Sequence, residues 1–301
     1  MKILVLVKEV MDANAGLAPS PDGSRVLPDG TDPVCRIGPD DRAALEEAVK
    51  IRASQGSGSV TAVTVGSTEN VNGLRICLAR GVDRAVRIVT EDNPYQDAFS
   101  TARIIKKAVE KLGFNLILCG NKSYDLGRSQ VGAILAELLG IPQVSRVVKI
   151  ETGNRTRVQV QRRMEKGDRE IVECPLPALL TVDHLAGEPQ YISVNALLVA
   201  ENQPVESWDL ASLDLTSDKL DQEGSQTRLM AFEPPRPRPK KIFVPDSSLS
   251  PDQKINLLLT GGLTQEKKKG SDLLQGSPDH LADEIIKFLK EKGIIPSVSK
   301  A

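Results

Sequence analysis

Short aliphatic runs and amphipathic stretches alternate along the first 140 residues of the chain. Residues 2–7, KILVLV, carry the near-continuous apolar pattern of a strand buried on both faces. Residues 39–53, PDDRAALEEAVKIRA, predict a helix: Ala44, Leu45, Ala48 and Val49 share one face, and Pro39 suits the first turn. SVTAVTV (59–65), RAVRIV (84–89) and NLILC (115–119) read as further strands. Helical spacing recurs over 69–80, 96–112 and 129–139, and Gly81, Gly113 and Gly140 stop these helices. Residues 11–39, with many Asp, Gly and Pro, read as a loop.

Strand and helix in strict alternation predict an α/β fold, a doubly wound and mostly parallel sheet with helices on both faces. Residues 144–173 then alternate with a period of two and carry turn signals at Gly153-Asn154 and Lys166-Gly167, which predicts an attached antiparallel meander. PALLTVD (177–183) is one more buried strand. After 184 the periodicity weakens. EPPRPRPKK (233–241) reads as an extended linker, and 277–295 as an amphipathic helix with Leu281, Ile285, Ile286 and Leu289 on one face. We therefore divide the chain into an α/β domain, 1–200, and a C-terminal arm, 201–301. There is no internal repeat.

Composition narrows the function. The 301 residues hold 39 basic and 40 acidic side chains, a net charge of −1, which argues against a nucleic-acid binder working through bulk charge. Aromatics make up only 3%, so the core must be aliphatic. Cys35, Cys77, Cys119 and Cys174 form no C-x-x-C pair and read as reduced thiols, mostly in the core, of a cytoplasmic protein. The two histidines, His184 and His280, lie far apart in sequence, which argues against a metal site. No apolar run reaches the roughly 18 residues of a membrane span. The opening MKILVLVK is too short for a signal peptide and lacks a cleavage site.

The stretch with most chemistry is CGNKSYDLGRSQVG, 119–132, between the fourth strand and the next helix. In open parallel sheets ligands bind outside the carboxyl ends of the strands where strand order reverses, and the first and fourth strands commonly flank that point. Gly120, Gly127 and Gly132 let backbone approach a ligand closely. The N–H groups of Ser129, Gln130, Val131 and Gly132 open a helix whose positive end favours a phosphate, and Arg128 can add charge. A tight glycine turn with Ser129 as a simple N-cap explains the same residues equally well at this point. The loop is neither a Walker A motif nor G-x-G-x-x-G. No nucleophile and base stand together. His184 reads as structural or surface, since its neighbour Asp183 should point to the opposite strand face. Glu165 reads as a solvated turn carboxylate, and Asp40-Asp41 as favouring a helix N-terminus.

The pieces ILVLVKEVMD, GPDDRAALEEAVKI, AVTVG, LARGVDRAV, CGNKSYDLGRSQVGAILAELLGIPQ, RRMEKG and PALLTVDHLAGEPQYISV occur in one order and spacing. In these the chain resembles the beta subunit of electron transfer flavoproteins, over roughly residues 1–215 and again in the terminal helix. The resemblance implies an adenine-nucleotide-hydrolase-like α/β fold and an electron carrier rather than a stand-alone enzyme. It implies a heterodimer with an alpha subunit, on which the arm would pack, and a bound adenine nucleotide, FAD or AMP. It carries the nucleotide site onto Val7, Lys8, Gly38, Asp41, Val65, Gly66, Gly120, Asp125, Arg128, Ser129, Gln130, Val131 and Gly132. It carries partner docking onto Leu185, Glu188, Pro189 and Tyr191, and steering of the flavin-bearing domain onto Glu165. Electrons would pass from a dehydrogenase or NADH to a further acceptor, quinone- or ferredoxin-linked, with bifurcation left open.

Three departures qualify the resemblance. Gly38 stands where the family has Asn, DLGRSQVG places Leu126 and Arg128 where acidic and small residues are usual, and AENQPVESW replaces a lysine cluster. The SQVG segment and the long carboxyl-terminal region resemble the FAD-binding, bifurcating-type members, which favours FAD over AMP. The rival reading is a nucleotide-binding regulatory module of the same fold without redox activity.

Overall fold

A computed structural model describes residues 1–12, 16–24, 26–28, 35–67, 71–90, 97–152, 156–187, 190–216, 227, 230–233, 248–259, 276–292 and 294. It falls into two compact units, Met1–Pro234 and Pro235–Ala301.

In chain order the first unit runs β1 (Lys2–Leu6), β2 (Glu9–Met11), β3 (Leu17–Pro19), β4 (Val26–Pro28), β5 (Cys35–Ile37), α1 (Pro39–Gln55), β6 (Ser59–Gly66), α2 (Asn72–Ala79), β7 (Arg84–Val89) and α3 (Ala98–Leu112). It continues with β8 (Leu116–Gly120), α4 (Val131–Leu139), β9 (Gln143–Glu151), β10 (Arg157–Arg163), β11 (Arg169–Pro175), β12 (Ala178–Val182), α5 (Val194–Glu201) and β13 (Glu206–Trp208). Nine strands form one sheet in the order β11-β10-β9-β12-β8-β1-β6-β7-β13. The seven strands from β9 to β13 pair parallel, and β10 runs antiparallel between β9 and β11. The doubly wound sheet and its meander thus follow the alternation read from the sequence.

Period-two patterning in the central strands feeds two aliphatic cores. Ile3, Val5 and Val7 join Leu116, Leu118 and Leu180 beneath α1 and α2. Leu4 and Leu6 join Ile117, Cys119 and Leu179 beneath α3 and α4 on the other face. Gly140 (φ 63) closes α4 in the left-handed conformation. Cys77, Cys119 and Cys174 are buried free thiols and Cys35 is half-buried.

The turn read at Lys166-Gly167 is a 3₁₀ turn, Glu165–Gly167, with positive φ at both Lys166 and Gly167. Gly153-Asn154 lies outside the described residues. The loop expected over 11–39 contains two small hairpins, β2 with β5 and β3 with β4. The region after 184 holds more structure than its sequence suggests. β13 pairs parallel with β7, and the first compact unit ends at Pro234. Three residues are too few to show a period.

The second unit holds α6 (Pro251–Leu259) and α7 (Pro278–Glu291). In α7 the Ser277 side chain accepts a hydrogen bond from the His280 N–H (3.4 Å), and Ile285, Ile286 and Phe288 are exposed. Among the described residues no helix is long and apolar enough to cross a membrane.

Candidate functional site

Strand order reverses between β1 and β8. The chain steps from β1 to β6 and β7 on one side, then returns to place β8 on the other. A crevice therefore opens at the carboxyl ends Val7-Lys8 and Cys119-Gly120, where such folds bind ligands. Val7 is buried at its edge, and Val65 and Gly66 end the adjacent β6.

The start of α1 fills the base of this crevice. Asp41 accepts the Lys8 N–H on Oδ2 and the Gly120 N–H on Oδ1, each at 2.9 Å, so one carboxylate ties β1 to β8. Asp40 accepts the Lys122 N–H (3.2 Å) and the His184 N–H (3.1 Å), reaching the ends of β8 and β12. Both stand in the first turn of α1, as the sequence predicts, and their hydrogen bonds also run to strand ends elsewhere in the chain. Burial pushes the Asp41 carboxyl up to about 7, and the two N–H donors offset part of that rise.

This arrangement decides what two glycines do. A Cβ on Gly120 would collide with Asp41 Oδ1 and lie 2.8 Å from the Asp41 nitrogen. A Cβ on Gly132 would lie 2.8 Å from Thr181 Cγ2 and 3.0 Å from Cys119 Sγ. Both glycines make room for protein, α1 against β8 and α4 against the sheet. Gly127 differs: its φ is 58° and the nearest atom to an added Cβ is Ser123 O at 3.8 Å, so it alone of the three would meet only ordinary contact.

The loop itself is braced from below. Lys8 Nζ pairs with Asp125 Oδ2 at 2.6 Å, and Asp125 accepts the Leu126 N–H at 2.6 Å. Partial burial opposes ionisation of Asp125, but the Lys8 charge and these hydrogen bonds hold its carboxyl below the usual range. Ser129 has a left-handed backbone (φ 55) and Gln130 a right-handed one (φ −110, ψ −34). Such a reversal turns successive N–H groups toward one point and makes an anion-binding concavity. The N-cap of α4 falls on Gln130 and carries no side-chain cap, so Ser129 is not the simple cap. Arg128 is half-buried beside it. Gly38 is the N-cap of α1, and an added Cβ there would meet only ordinary contacts with Tyr124 at 3.6 Å and beyond.

Beyond Ser129 opens a cleft of about 320 Å³ whose lining includes Lys122, Arg146, Arg163 and His184 above the buried carboxylates of Asp40 and Asp183. Arg146 is held left-handed (φ 58) near a register shift in the β9–β12 pairing, and its N–H donates to Thr181 Oγ1 at 3.1 Å. Thr181 in turn donates to Asn121 Oδ1 at 3.2 Å. His184 Nδ1 stands 3.1 Å from Asp183 Oδ1 and 3.3 Å from Asp40 Oδ1. That corrects the reading of His184 and Asp183 as pointing apart: β12 ends at Val182 and a 3₁₀ turn, His184–Ala186, begins, so strand alternation no longer applies. Sequence reasoning missed Lys122, Arg146 and Arg163 here. Only the polar character of the loop hinted at Lys122, and the bulge that presents Arg146 leaves no local signature.

Of the residues expected to dock a partner, Leu185 is 51% and Tyr191 89% exposed, Glu165 is exposed on its turn, and Glu188 and Pro189 lie outside the described residues. The neighbouring α5 is also largely exposed. Val194, Leu197, Leu198 and Val199 are all exposed, and Ala200 is its one buried residue.

A mostly parallel sheet wound on both faces, with an uncapped helix start at its switch point, defines a doubly wound α/β protein. The electron transfer flavoprotein domain matches residues 34–213 of the chain. The chain is 33% identical over 293 residues to the electron transfer flavoprotein subunit beta of Bacillus subtilis (strain 168), covering 97% of this chain and 98% of that one. It is 35% identical over 236 residues to the subunit of the same name from Thermoanaerobacterium thermosaccharolyticum, covering 78% and 88%. It is 32% identical over 245 residues to the acryloyl-CoA reductase electron transfer subunit gamma of Anaerotignum propionicum, covering 78% and 90%. The chain belongs to the electron transfer flavoprotein family, among its beta subunits.

Proposed function

We propose that this beta subunit pairs with an alpha subunit, holds an adenine nucleotide in the β1–β8 crevice, and shuttles electrons from a dehydrogenase or NADH to a quinone- or ferredoxin-linked acceptor in the cytoplasm. The observation that carries the nucleotide reading is the start of α4, where Ser129 and Gln130 reverse backbone hand ahead of an uncapped helix. The N–H groups of Ser129, Gln130, Val131 and Gly132 would hold a phosphate, with Arg128 adding charge. Val7, Lys8, Gly38, Val65 and Gly66 would border the base and ribose. Asp41, Gly120 and Asp125 act one step back, by fixing the crevice and its loop.

We favour FAD over AMP. The cleft beyond Ser129, with Lys122, Arg146 and Arg163, supports a second phosphate and a longer ligand. A bound flavin supplies the acceptance and release of electrons; the chain's residues bind it, orient it and set the charge around it. Bifurcation belongs to this FAD form of the reading. The exposed apolar surface of α5, with Leu185 and Tyr191, supports docking of a redox partner. Glu165 suits steering of a basic surface, and the exposed apolar face of α7 supports packing of the arm on the alpha subunit.

Acid extraction of the co-expressed, purified heterodimer tests this. Two FAD per heterodimer is the expected result. One FAD with one AMP would correct the cofactor. A colourless protein that binds nucleotide and works without a partner would favour a regulatory module and overturn the electron-carrier reading.

A further inference from the structure

α5 is a helix of eight residues with most of its apolar side chains turned to solvent and Ala200 alone buried. A helix that short is not stable by itself, and its outward-facing residues contribute little packing to hold it. What fastens it comes from two other helices. Arg75, in the first turn of α2, donates through Nη1 to Ala200 O (2.8 Å) and Gln203 O (2.6 Å). These carbonyls lie at and just beyond the C-terminus of α5, where the dipole favours a cation, and Ala200 O also accepts the Gln203 N–H at 3.2 Å. At the other end of the segment, Arg80 donates to Gln190 O (3.0 Å), and Glu46 of α1 accepts the Gln190 N–H (3.3 Å). Arg80 and Glu46 also pair with each other, and their side chains are only 10% and 12% exposed. One ion pair thus takes both backbone polar groups of Gln190, and one arginine closes α5.

We infer that Arg75 and the Arg80–Glu46 pair are positioning residues that hold residues 190–203 as a preformed docking surface. This rests on the docking reading given above. With the ends of the segment fixed, the exposed Tyr191, Val194 and Leu198 between them are presented in one arrangement. A partner then binds without first ordering the segment.

Hydrogen exchange on the full chain in its heterodimer tests the latch directly. Arg75→Ala should speed exchange of the amides of 194–203 by about tenfold, the loss expected when charged hydrogen bonds holding a local unit are removed. Arg80→Ala should do the same around 190–193. Amides of β8 and β12 should be unchanged, and Arg75→Lys should recover part of the protection. Should an alanine variant fail to fold, Glu46→Gln and Arg75→Lys carry the test through the same peptides. Unchanged exchange in 190–203, or a rise spread equally over the sheet, overturns the inference. Failure of docking itself is read separately, from electron transfer in a Leu198 variant, and leaves the exchange result standing.

Discussion

Gly120 shows how little of a residue's reason lies in its local sequence. As a glycine ending a strand before a polar loop, it invites the reading of a close approach to ligand. The close approach is real, but the approaching group is the first turn of α1, with Asp41 within hydrogen-bonding distance of the Gly120 nitrogen. Gly132 follows the same logic against Thr181 and Cys119. Gly120→Ala should therefore destabilise the protein by about 1–3 kcal/mol, the range for overpacking a close contact. Gly127→Ala would meet only ordinary contact and should cost the left-handed backbone strain alone, about 1–2 kcal/mol. Urea midpoints of the two variants check both values. Arg146 marks the opposite limit of the sequence: its left-handed backbone and its place in the cleft follow from a register shift between β9 and β12 that no nearby residue announces.

At the scale of elements, the alternation of apolar runs and amphipathic stretches was enough to place β1, α1, β6, β7, α3, β8 and α4, because each buries a face wide enough to impose its period. The crevice followed from that order. α5 and β13 escaped for physical reasons: α5 turns its apolar residues outward, so it has no buried stripe, and β13 is three residues long. Only family resemblance singled out the segment around Leu185 and Tyr191, and α5 beside it emerges only in the structure. Because Leu198 is 62% exposed, Leu198→Glu should leave folding and flavin absorbance intact. It should slow electron transfer with the cognate dehydrogenase by about tenfold if α5 is an anchor of the docking surface. Stopped-flow reduction of the heterodimer measures it.

The whole molecule carries a pH dependence that originates at one buried group. Folded, Asp41 ionises at about 7, against the ordinary 3.8 of an aspartate in the unfolded chain. Between those values the folded protein holds a proton that the unfolded chain has released. The contribution of Asp41 to stability is therefore fully present below the unfolded value and is lost as pH rises through about 7. Asp41→Asn removes this titration together with one strand-end acceptor. The difference in Tm between wild type and Asp41→Asn should be larger at about pH 5 than at about pH 8. A difference independent of pH would mean that Asp41 is charged throughout.

The tie between β1 and β8 also makes α1 a caliper. The gap between the carboxyl ends of these strands is set by where the first turn of α1 stands, and that turn is seated by Ala44, Leu45 and Ala48 deep in the core. A change on this buried face reaches the crevice as a change of aperture. Substitutions among these aliphatic residues would then resize the crevice without any of them reaching it.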